Sequence, residues 1–255
     1  MGRRSHYAPG TPCAVDLVTP DVATAKDFYR RVFGWESEDL DHGYTVFRHD
    51  GGTVAGAYPL TQAMAQAGTG PAWRTYVAVA DLDASAARVA ELGGALEDEP
   101  FAVPGAGRGV AFTDPGGAEL SLWQADGFVG AEVVNEVGAW AWNDLQTPDP
   151  PAAVPFYEAL FGWEIREVPG SGGAYWSVGL DGRPLGGVMQ APPATPRPSW
   201  NVYFGVMSCG ATLEHVDVAG GERVAGPLDV PAGRFAVAMD PLAATFSLVE
   251  GRFDE

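Results

Sequence analysis

The stretch Phe28-Tyr-Arg-Arg-Val-Phe-Gly-Trp35 returns at an offset of 128 residues as Phe156-Tyr-Glu-Ala-Leu-Phe-Gly-Trp163. The segment before it returns at the same offset, since Asp16-Leu-Val-Thr-Pro-Asp21 is matched by Asp144-Leu-Gln-Thr-Pro-Asp149. An internal repeat of this kind bears on the fold of the whole chain. This period is too long for a solenoid, so it indicates one domain present twice.

The repeat continues almost to the end of the chain, with drifts of one residue at a time. Its later matches are Trp73 with Trp200, Gly107-Arg108 with Gly233-Arg234, and Asp114-Pro115 with Asp240-Pro241. The sequence therefore predicts a first domain over residues 1–126 and a second over 136–255. We expect the seam between them near 125–136.

Each copy opens with a strand and a capped helix. Residues 12–18 alternate in the manner of a strand, and Asp21 stands where it can cap an amphipathic helix over 23–33 that Gly34 ends. A second capped helix is predicted over 81–94, and short strands occupy the rest of the copy. The order is βαβββ followed by βαβββ, which predicts an α+β fold.

The composition disfavours several classes of function. The 255 residues carry a formal charge of −18, which argues against binding to nucleic acid or to an anionic membrane surface. No apolar run is long enough to span a membrane. The two cysteines, Cys13 and Cys209, are far apart in sequence, and we expect them to be buried thiols in the reducing cytoplasm.

The Thr-Pro-Asp helix entry, the Phe-Tyr-x3-Phe-Gly-Trp motif and the closing Asp114-Pro-Gly-Gly117 together resemble the vicinal oxygen chelate superfamily. That superfamily includes glyoxalase I, bleomycin-resistance proteins and extradiol dioxygenases. The resemblance covers about residues 10–250 and is closest to the two-domain actinobacterial members described as glyoxalase-like or as hydroxylases. It implies four βαβββ modules that form two cup-shaped mixed sheets, with a site inside each cup.

The resemblance also implies where a metal would be held. The ligand-equivalent positions are Ala14, Thr75 and Ser121 in the first copy and Trp142, Val202 and Ser247 in the second. None of these side chains is a credible ligand for Zn, Fe, Ni or Mn. We therefore expect no metal and no other cofactor, which removes reactions that need a metal as a Lewis acid.

We expect an aromatic lining inside the cups, because alternate residues of each strand face one side of a sheet. The candidate ligand-binding residues are Trp73, Thr75, Arg108, Glu119, Ser121, Trp123, Trp142, Trp176, Trp200, Arg234 and Ser247. Such a lining suits a flat organic molecule, so the predicted partner is an aromatic small molecule. For Arg108 and Arg234 a turn or a salt bridge is the alternative to anchoring a ligand.

Asp16 and Asp144 are the candidate catalytic residues. Aspartate is disfavoured inside a strand, and a carboxylate in an apolar cup is costly unless it is paired. Burial could raise its pKa enough for general acid or base catalysis. The alternative is that each aspartate only binds neighbouring groups and stabilises the two-copy arrangement, which its presence in both copies favours.

Three functions agree with these features. The first is a metal-independent enzyme of secondary metabolism, an isomerase, lyase, cyclase or hydroxylase-like protein that uses carboxylate acid–base chemistry on a bulky, polyketide-like aromatic substrate. The second is a non-catalytic protein that sequesters or delivers an aromatic antibiotic or metabolite. The third is an interaction protein whose cups have closed.

We expect the two copies to pair within one chain as a pseudo-dimer, in a monomer or a homodimer. On this hypothesis each cup takes one module from each copy. One cup would join Asp16 to the strands of Trp200 and Ser247. The other would gather Trp142, Asp144, Trp73 and Trp123, and its richer aromatic lining makes it the expected ligand site. The alternative is that Trp142 plugs that cup.

The ligand-equivalent positions generate a prediction about metal content. Purified protein should carry no stoichiometric transition metal, and chelators should change neither its stability nor its ligand binding, because alanine, threonine and serine replace the expected ligands. Elemental analysis is the measurement. A metal content near one equivalent per cup would contradict it.

Overall fold

The computed structural model describes residues 2–191, 197–230 and 233–251. The elements of the first copy are β1 (Pro12–Thr19), α1 (Val22–Phe33), β2 (Glu36–Asp39), β3 (Thr45–His49), β4 (Gly52–Pro59), α2 (Gln62–Gln66), β5 (Ala72–Ala78), α3 (Leu82–Glu91), β6 (Ala95–Leu96), β7 (Phe101–Val103), β8 (Gly107–Thr113) and β9 (Glu119–Ala125). Those of the second are β10 (Trp140–Thr147), α4 (Pro150–Phe161), β11 (Glu164–Glu167), β12 (Tyr175–Leu180), β13 (Arg183–Gln190), β14 (Ser199–Val206), α5 (Cys209–Val218), β15 (Glu222–Val230), β16 (Gly233–Met239) and β17 (Thr245–Gly251). Among the described residues, no helix is long and apolar enough to cross a membrane.

The repeated helices begin and end at the residues that the sequence indicates. The Asp21 carboxylate accepts hydrogen bonds from the amides of Ala23 and Thr24 at the start of α1. Gly34 ends that helix in the left-handed region at φ 73°, where glycine has no steric cost. Asp149 and Gly162 do the same for α4, again with φ 73° at the glycine.

The chain forms two mixed sheets, as predicted. The strand order is β2-β3-β4-β1-β5-β9-β8-β6, with β7 beside β8, in the first sheet. It is β11-β12-β13-β10-β14-β17-β16-β15 in the second. In each sheet two modules join through one antiparallel pair, β1 with β5 or β10 with β14.

Each sheet is therefore built from one copy alone. The prediction that each cup joins a module from each copy is wrong, because the backbone hydrogen bonds of β1 are satisfied by β4 and β5 of its own copy. The expected gathering of Trp142, Trp73 and Trp123 in one cup does not occur for the same reason.

The two copies contribute residues jointly to the hydrophobic cores that lie behind the sheets. One core joins β1 and α1 of the first copy to β14, α5 and β17 of the second, so that Phe28 and Phe33 contact Phe246. The other core joins α3, β8 and β9 to α4 and β10, and there Phe112 contacts Phe156. Burial of these aromatic side chains makes neither copy complete without the other.

The repeated motif supplies the polar contacts of the same interface. The Tyr29 hydroxyl donates to Asp240 Oδ2 at 3.1 Å, and Trp73 Nε1 donates to that hydroxyl at 2.9 Å. The second copy repeats this pattern, with Tyr157 donating to Asp114 Oδ2 at 2.8 Å and Trp200 donating to Tyr157 at 2.9 Å. The tyrosine of one copy is thus bonded to the Asp-Pro turn of the other.

This network predicts a stability cost for losing either hydroxyl. Tyr29→Phe should lower the free energy of unfolding by about 2 kcal/mol, because it leaves the buried Trp73 indole N–H and one oxygen of Asp240 without a partner. Tyr157→Phe is the matched variant and should cost about the same. Urea denaturation measures both, and a change near zero in both variants would show that these bonds do not hold the copies together.

Candidate functional site

The helix-free face of each sheet is its cup. In the first cup, Ala14 and Asp16 of β1 share that face with Arg74 and Tyr76 of β5, since Asp16 lies opposite Arg74 and Ala14 opposite Tyr76. Ser121 of β9 pairs with Tyr76 and adds a hydroxyl. The second cup presents the corresponding residues, which are Trp142, Asp144, Asn201, Tyr203 and Ser247.

Asp16 lies on the floor of the first cup within a cluster of tyrosines. Its residue exposure is 6%, and its Oδ1 accepts a hydrogen bond from the Tyr44 hydroxyl at 2.8 Å. The Tyr76 hydroxyl and the Gly56 amide also bond to the carboxyl group. Burial raises the pKa of Asp16 to about 6, and these hydrogen bonds only partly oppose the shift because they stabilise the carboxylate.

Asp144 is held in the same way in the second cup. Its Oδ1 accepts from the Tyr175 hydroxyl at 2.8 Å and from Trp142 Nε1 at 2.9 Å, and Tyr203 also donates to the carboxyl group. Burial raises the pKa of Asp144 above its usual range, while the hydrogen bonds oppose the rise. A buried carboxyl group with a raised pKa can take up or release a proton closer to neutral pH.

One glycine in each copy makes room for this cluster. A side chain at Gly56 would collide with the Tyr44 hydroxyl and with Asp16 Oδ1. A side chain at Gly187 would meet Tyr175 and Asp144 in the same way. Both glycines lie opposite the aspartates in the parallel pairs β1–β4 and β10–β13.

Four predicted cup residues lie on the opposite face instead. Trp73 and Trp200 are buried in the cores, where their indoles bond to Tyr29 and Tyr157. The Thr75 hydroxyl accepts from Asn143 Nδ2 at 2.9 Å, across the two copies. Trp176 packs against the second core. The prediction that Trp73, Thr75 and Trp200 line the cups is wrong by one residue of register, because Arg74 and Tyr76 face the cup on β5, as Asn201 and Tyr203 do on β14.

The other candidates divide between the cups and the surface. Glu119, Ser121 and Trp123 share one face of β9 in the first cup, and Ser247 lies on the floor of the second. Arg108 and Arg234 do not reach either floor. Arg108 forms an ion pair with Asp83, and Arg234 forms one with Asp229. These contacts agree with the alternative that the two arginines form salt bridges and do not anchor a ligand.

The two cups differ in how they are covered. In the first, the segment after β9 crosses one end of the cup, where the Phe128 carbonyl accepts from Trp123 Nε1 at 2.9 Å and its ring lies 6.2 Å from that indole. Ala14, Arg74, Tyr76 and Trp123 are all buried there. In the second cup Trp142, Tyr175 and Asn201 are half-buried, so more of its lining is open to solvent.

Sequence reasoning missed the tyrosines and Arg74. Tyr76 and Tyr203 repeat at the same offset as Trp73 and Trp200, so the repeat itself could have revealed them. Arg74 gave no such signal, because its counterpart is Asn201. Its guanidinium lies 3.1 Å from Glu97 and 2.9 Å from Glu119, and the residue is 6% exposed.

Known proteins share both the sequence and the fold. A family model described as the glyoxalase/bleomycin resistance protein/dioxygenase superfamily matches residues 5–122. CFP32 of Mycobacterium tuberculosis, a glyoxylase-like protein by name, is 40% identical over 258 residues, with 98% of each chain covered.

The chain belongs to this superfamily. A second relative in it is the anthracycline biosynthesis protein DnrV of Streptomyces peucetius, which is 35% identical over 265 residues with 97% of this chain and 96% of the relative covered. The resemblance to this superfamily that the sequence motifs indicate is thereby confirmed.

Solved structures of the superfamily show the same fold. The Mn(II)-bound glyoxalase from Novosphingobium aromaticivorans superposes with a TM-score of 0.65 at 20% identity, covering 97% of this chain and 85% of its own. Homoprotocatechuate 2,3-dioxygenase from B.fuscum superposes with a TM-score of 0.67 at 17% identity, covering 99% and 74%.

The residues of the two cups do not fit a metal such as the Mn(II) that the Novosphingobium glyoxalase binds. With the register corrected, the three facing positions are Ala14, Tyr76 and Ser121 in the first cup. In the second they are Trp142, Tyr203 and Ser247. Neither set holds a histidine or a carboxylate, and within the described residues no three His, Cys, Asp or Glu side chains form a group that could bind a metal.

The raised pKa of Asp16 predicts how stability changes with pH. Its value of about 6 in the folded protein lies above the value near 3.9 of an unfolded aspartate, so the folded state retains a proton that the unfolded state releases. The contribution of Asp16 to the free energy of unfolding should therefore fall as the pH rises from about 4 to 6, by on the order of 3 kcal/mol.

The Asp16→Asn variant has no titratable group at this position, so comparing it with the wild-type protein isolates the contribution of the Asp16 carboxyl group to stability. Urea denaturation at several pH values gives the free energy of unfolding of the wild-type protein and of this variant. As the pH rises from about 4 to 6, the wild-type protein should lose stability relative to the variant. A difference that stays constant with pH would show that the carboxyl group has an ordinary pKa.

Proposed function

We propose that this protein acts on a bulky aromatic small molecule of secondary metabolism by acid–base chemistry, without a metal. The observation that carries the proposal is the buried carboxyl–tyrosine cluster in each cup, in which Asp144 accepts from Tyr175 and Trp142 while burial raises its pKa. The relatives named for anthracycline biosynthesis support an aromatic polyketide as the class of ligand.

The second cup is the principal site in this proposal. The half-buried side chains of Trp142 and Tyr175 lie beside Asp144 and offer aromatic surface to a ligand. Aromatic pairs add roughly 0.5–1.5 kcal/mol beyond the burial of their surface. The first cup has Ala14 where the second has Trp142, and Phe128 already covers its Trp123.

The chemical step is a proton transfer. Asp144 in its carboxylate form takes the proton of a C–H bond that is acidic because it is conjugated with a carbonyl group, and the electron pair of that bond moves through the conjugated system onto the carbonyl oxygen to form an enolate. The protonated Asp144 then returns the proton to carbon or oxygen, which isomerises the substrate or prepares it for cyclisation. A carboxyl group with a raised pKa is suited to both halves of this transfer.

A binding protein is the second candidate. Oδ1 of Asp144 already receives hydrogen bonds from both Tyr175 and Trp142, so the carboxyl group also serves to position two aromatic side chains. In that case the cup would hold an aromatic antibiotic or metabolite without changing it.

Anthrone, a three-ring ketone with an acidic methylene group, distinguishes these functions. Wild-type protein in D2O under nitrogen should accelerate exchange of the methylene protons, followed by NMR, and Asp144→Asn should reduce the acceleration at least about a hundredfold, as expected when a general base is lost. Trp142→Ala should weaken anthrone binding about tenfold, measured by calorimetry.

Asp16→Asn is the matched variant for the first cup and should leave most of the exchange intact. Anthrone binding without accelerated exchange would favour the binding protein over the enzyme. If anthrone does not bind, or if Asp16→Asn abolishes its binding while Trp142→Ala leaves it unchanged, the second cup is the wrong site.

A further inference from the structure

Buried hydrogen-bond donors without an acceptor are rare in folded proteins and call for a physical explanation. Among the described residues, three buried side-chain atoms have neither a hydrogen-bond partner nor an ion pair: Thr19 Oγ1, Arg74 Nε and Asn201 Nδ2. Two of the three belong to Arg74 and Asn201, which the repeat places at the same position of β5 and β14. An arginine in one cup and an asparagine in the other thus leave an N–H donor unpaired at the same position of the repeat.

Both residues lie directly beside the buried carboxyl groups. Arg74 is opposite Asp16 in the antiparallel pair β1–β5, and Asn201 is opposite Asp144 in the pair β10–β14. Residues opposite each other in such pairs have neighbouring side chains on one face of the sheet. Each cup therefore presents an unpaired N–H donor next to a carboxyl group.

The charges around these donors indicate what they bind. Arg74 Nη1 lies 3.1 Å from Glu97 Oε2 and its Nη2 lies 2.9 Å from Glu119 Oε2, so two carboxylates already balance the guanidinium. A further anion would add like charge beside Asp16, whereas a neutral oxygen acceptor would not. Asn201 carries no charge, so it too suits a neutral acceptor.

We propose that Asn201 in the second cup, and Arg74 in the first, anchor the ligand by donating a hydrogen bond to a neutral carbonyl oxygen. The ligand class is then an aromatic ketone or quinone whose carbonyl group lies at β14 or β5 while the acidic carbon that is conjugated with this carbonyl group faces the aspartate. The same donor holds the oxygen on which negative charge develops when the aspartate removes a proton. This inference rests on the proposed function, since it assigns the ligand of the same cups.

A matched pair of probes tests the anchor. Anthrone and 9,10-dihydroanthracene share the three-ring skeleton and differ in the carbonyl group. Wild-type protein should bind anthrone at least tenfold more tightly, measured by calorimetry. Asn201→Leu should lose most of this preference while its affinity for dihydroanthracene stays the same, and Arg74→Met with Asn201→Leu should abolish the preference.

Gln146→Leu is the matched control, because it makes the same amide-to-leucine change on the cup-facing side of β10 at a side chain that already contacts Met189. It should leave the ketone preference unchanged. Asn201→Leu should also unfold at the same or higher urea concentration than the wild type, since it removes an unpaired donor, whereas a structural asparagine would lower stability. If Asn201→Leu does not fold, Asn201→Ala replaces it in the same comparison.

The outcomes separate this inference from the proposed function. Equal affinity of the wild type for the ketone and the hydrocarbon, or a ketone preference that survives the double substitution, would overturn the anchor and leave Asp144-dependent exchange intact. If neither probe binds, the proposed function fails and the anchor fails with it.

Discussion

The hydrogen bond from Tyr29 to Asp240, with its twin from Tyr157 to Asp114, is the constraint on which the rest of the molecule depends. Each tyrosine comes from the first helix of one copy, and each aspartate closes the turn before the last strand of the other. Because these polar groups are buried, they need each other as partners. The core-facing sides of the two sheets are therefore held together, with aromatic side chains of both copies packed in the shared cores.

This arrangement leaves the helix-free face of each sheet available for a ligand. Since the cores use the residues on one face of every strand, the residues one step along the chain are free to build a site. Asp16 and Asp144 take that position on the central strands, and both are buried by tyrosine side chains rather than by the cores. The same glycine-lined gap, at Gly56 and Gly187, admits the cluster in both cups.

The two copies differ in residues that line the cups and agree in the residues that form the interface between them. The motif residues of the interface recur in both copies, whereas Ala14, Arg74 and Glu119 are replaced in the second cup by Trp142, Asn201 and Thr245. An interface that needs both copies tolerates little change in either, but each cup can vary by itself. One cup is consequently covered by the segment after β9 and the other is more open, so a single duplicated fold offers two different environments for a carboxyl group.

The sequence by itself determined the duplication, the capped helices, the superfamily and the two buried aspartates, because these follow from local patterns that recur along the chain. It also led to a cup lined by Trp73 and Trp200, since alternation along an isolated strand does not say which face is which. Only the tertiary structure decided that face, through the register that places Asp16 opposite Arg74. The tertiary structure likewise decided that each sheet is formed within one copy, whereas each hydrophobic core is shared between the two copies. Both outcomes depend on contacts between residues that are distant in sequence, namely the hydrogen bonds between strands and the burial of side chains between copies.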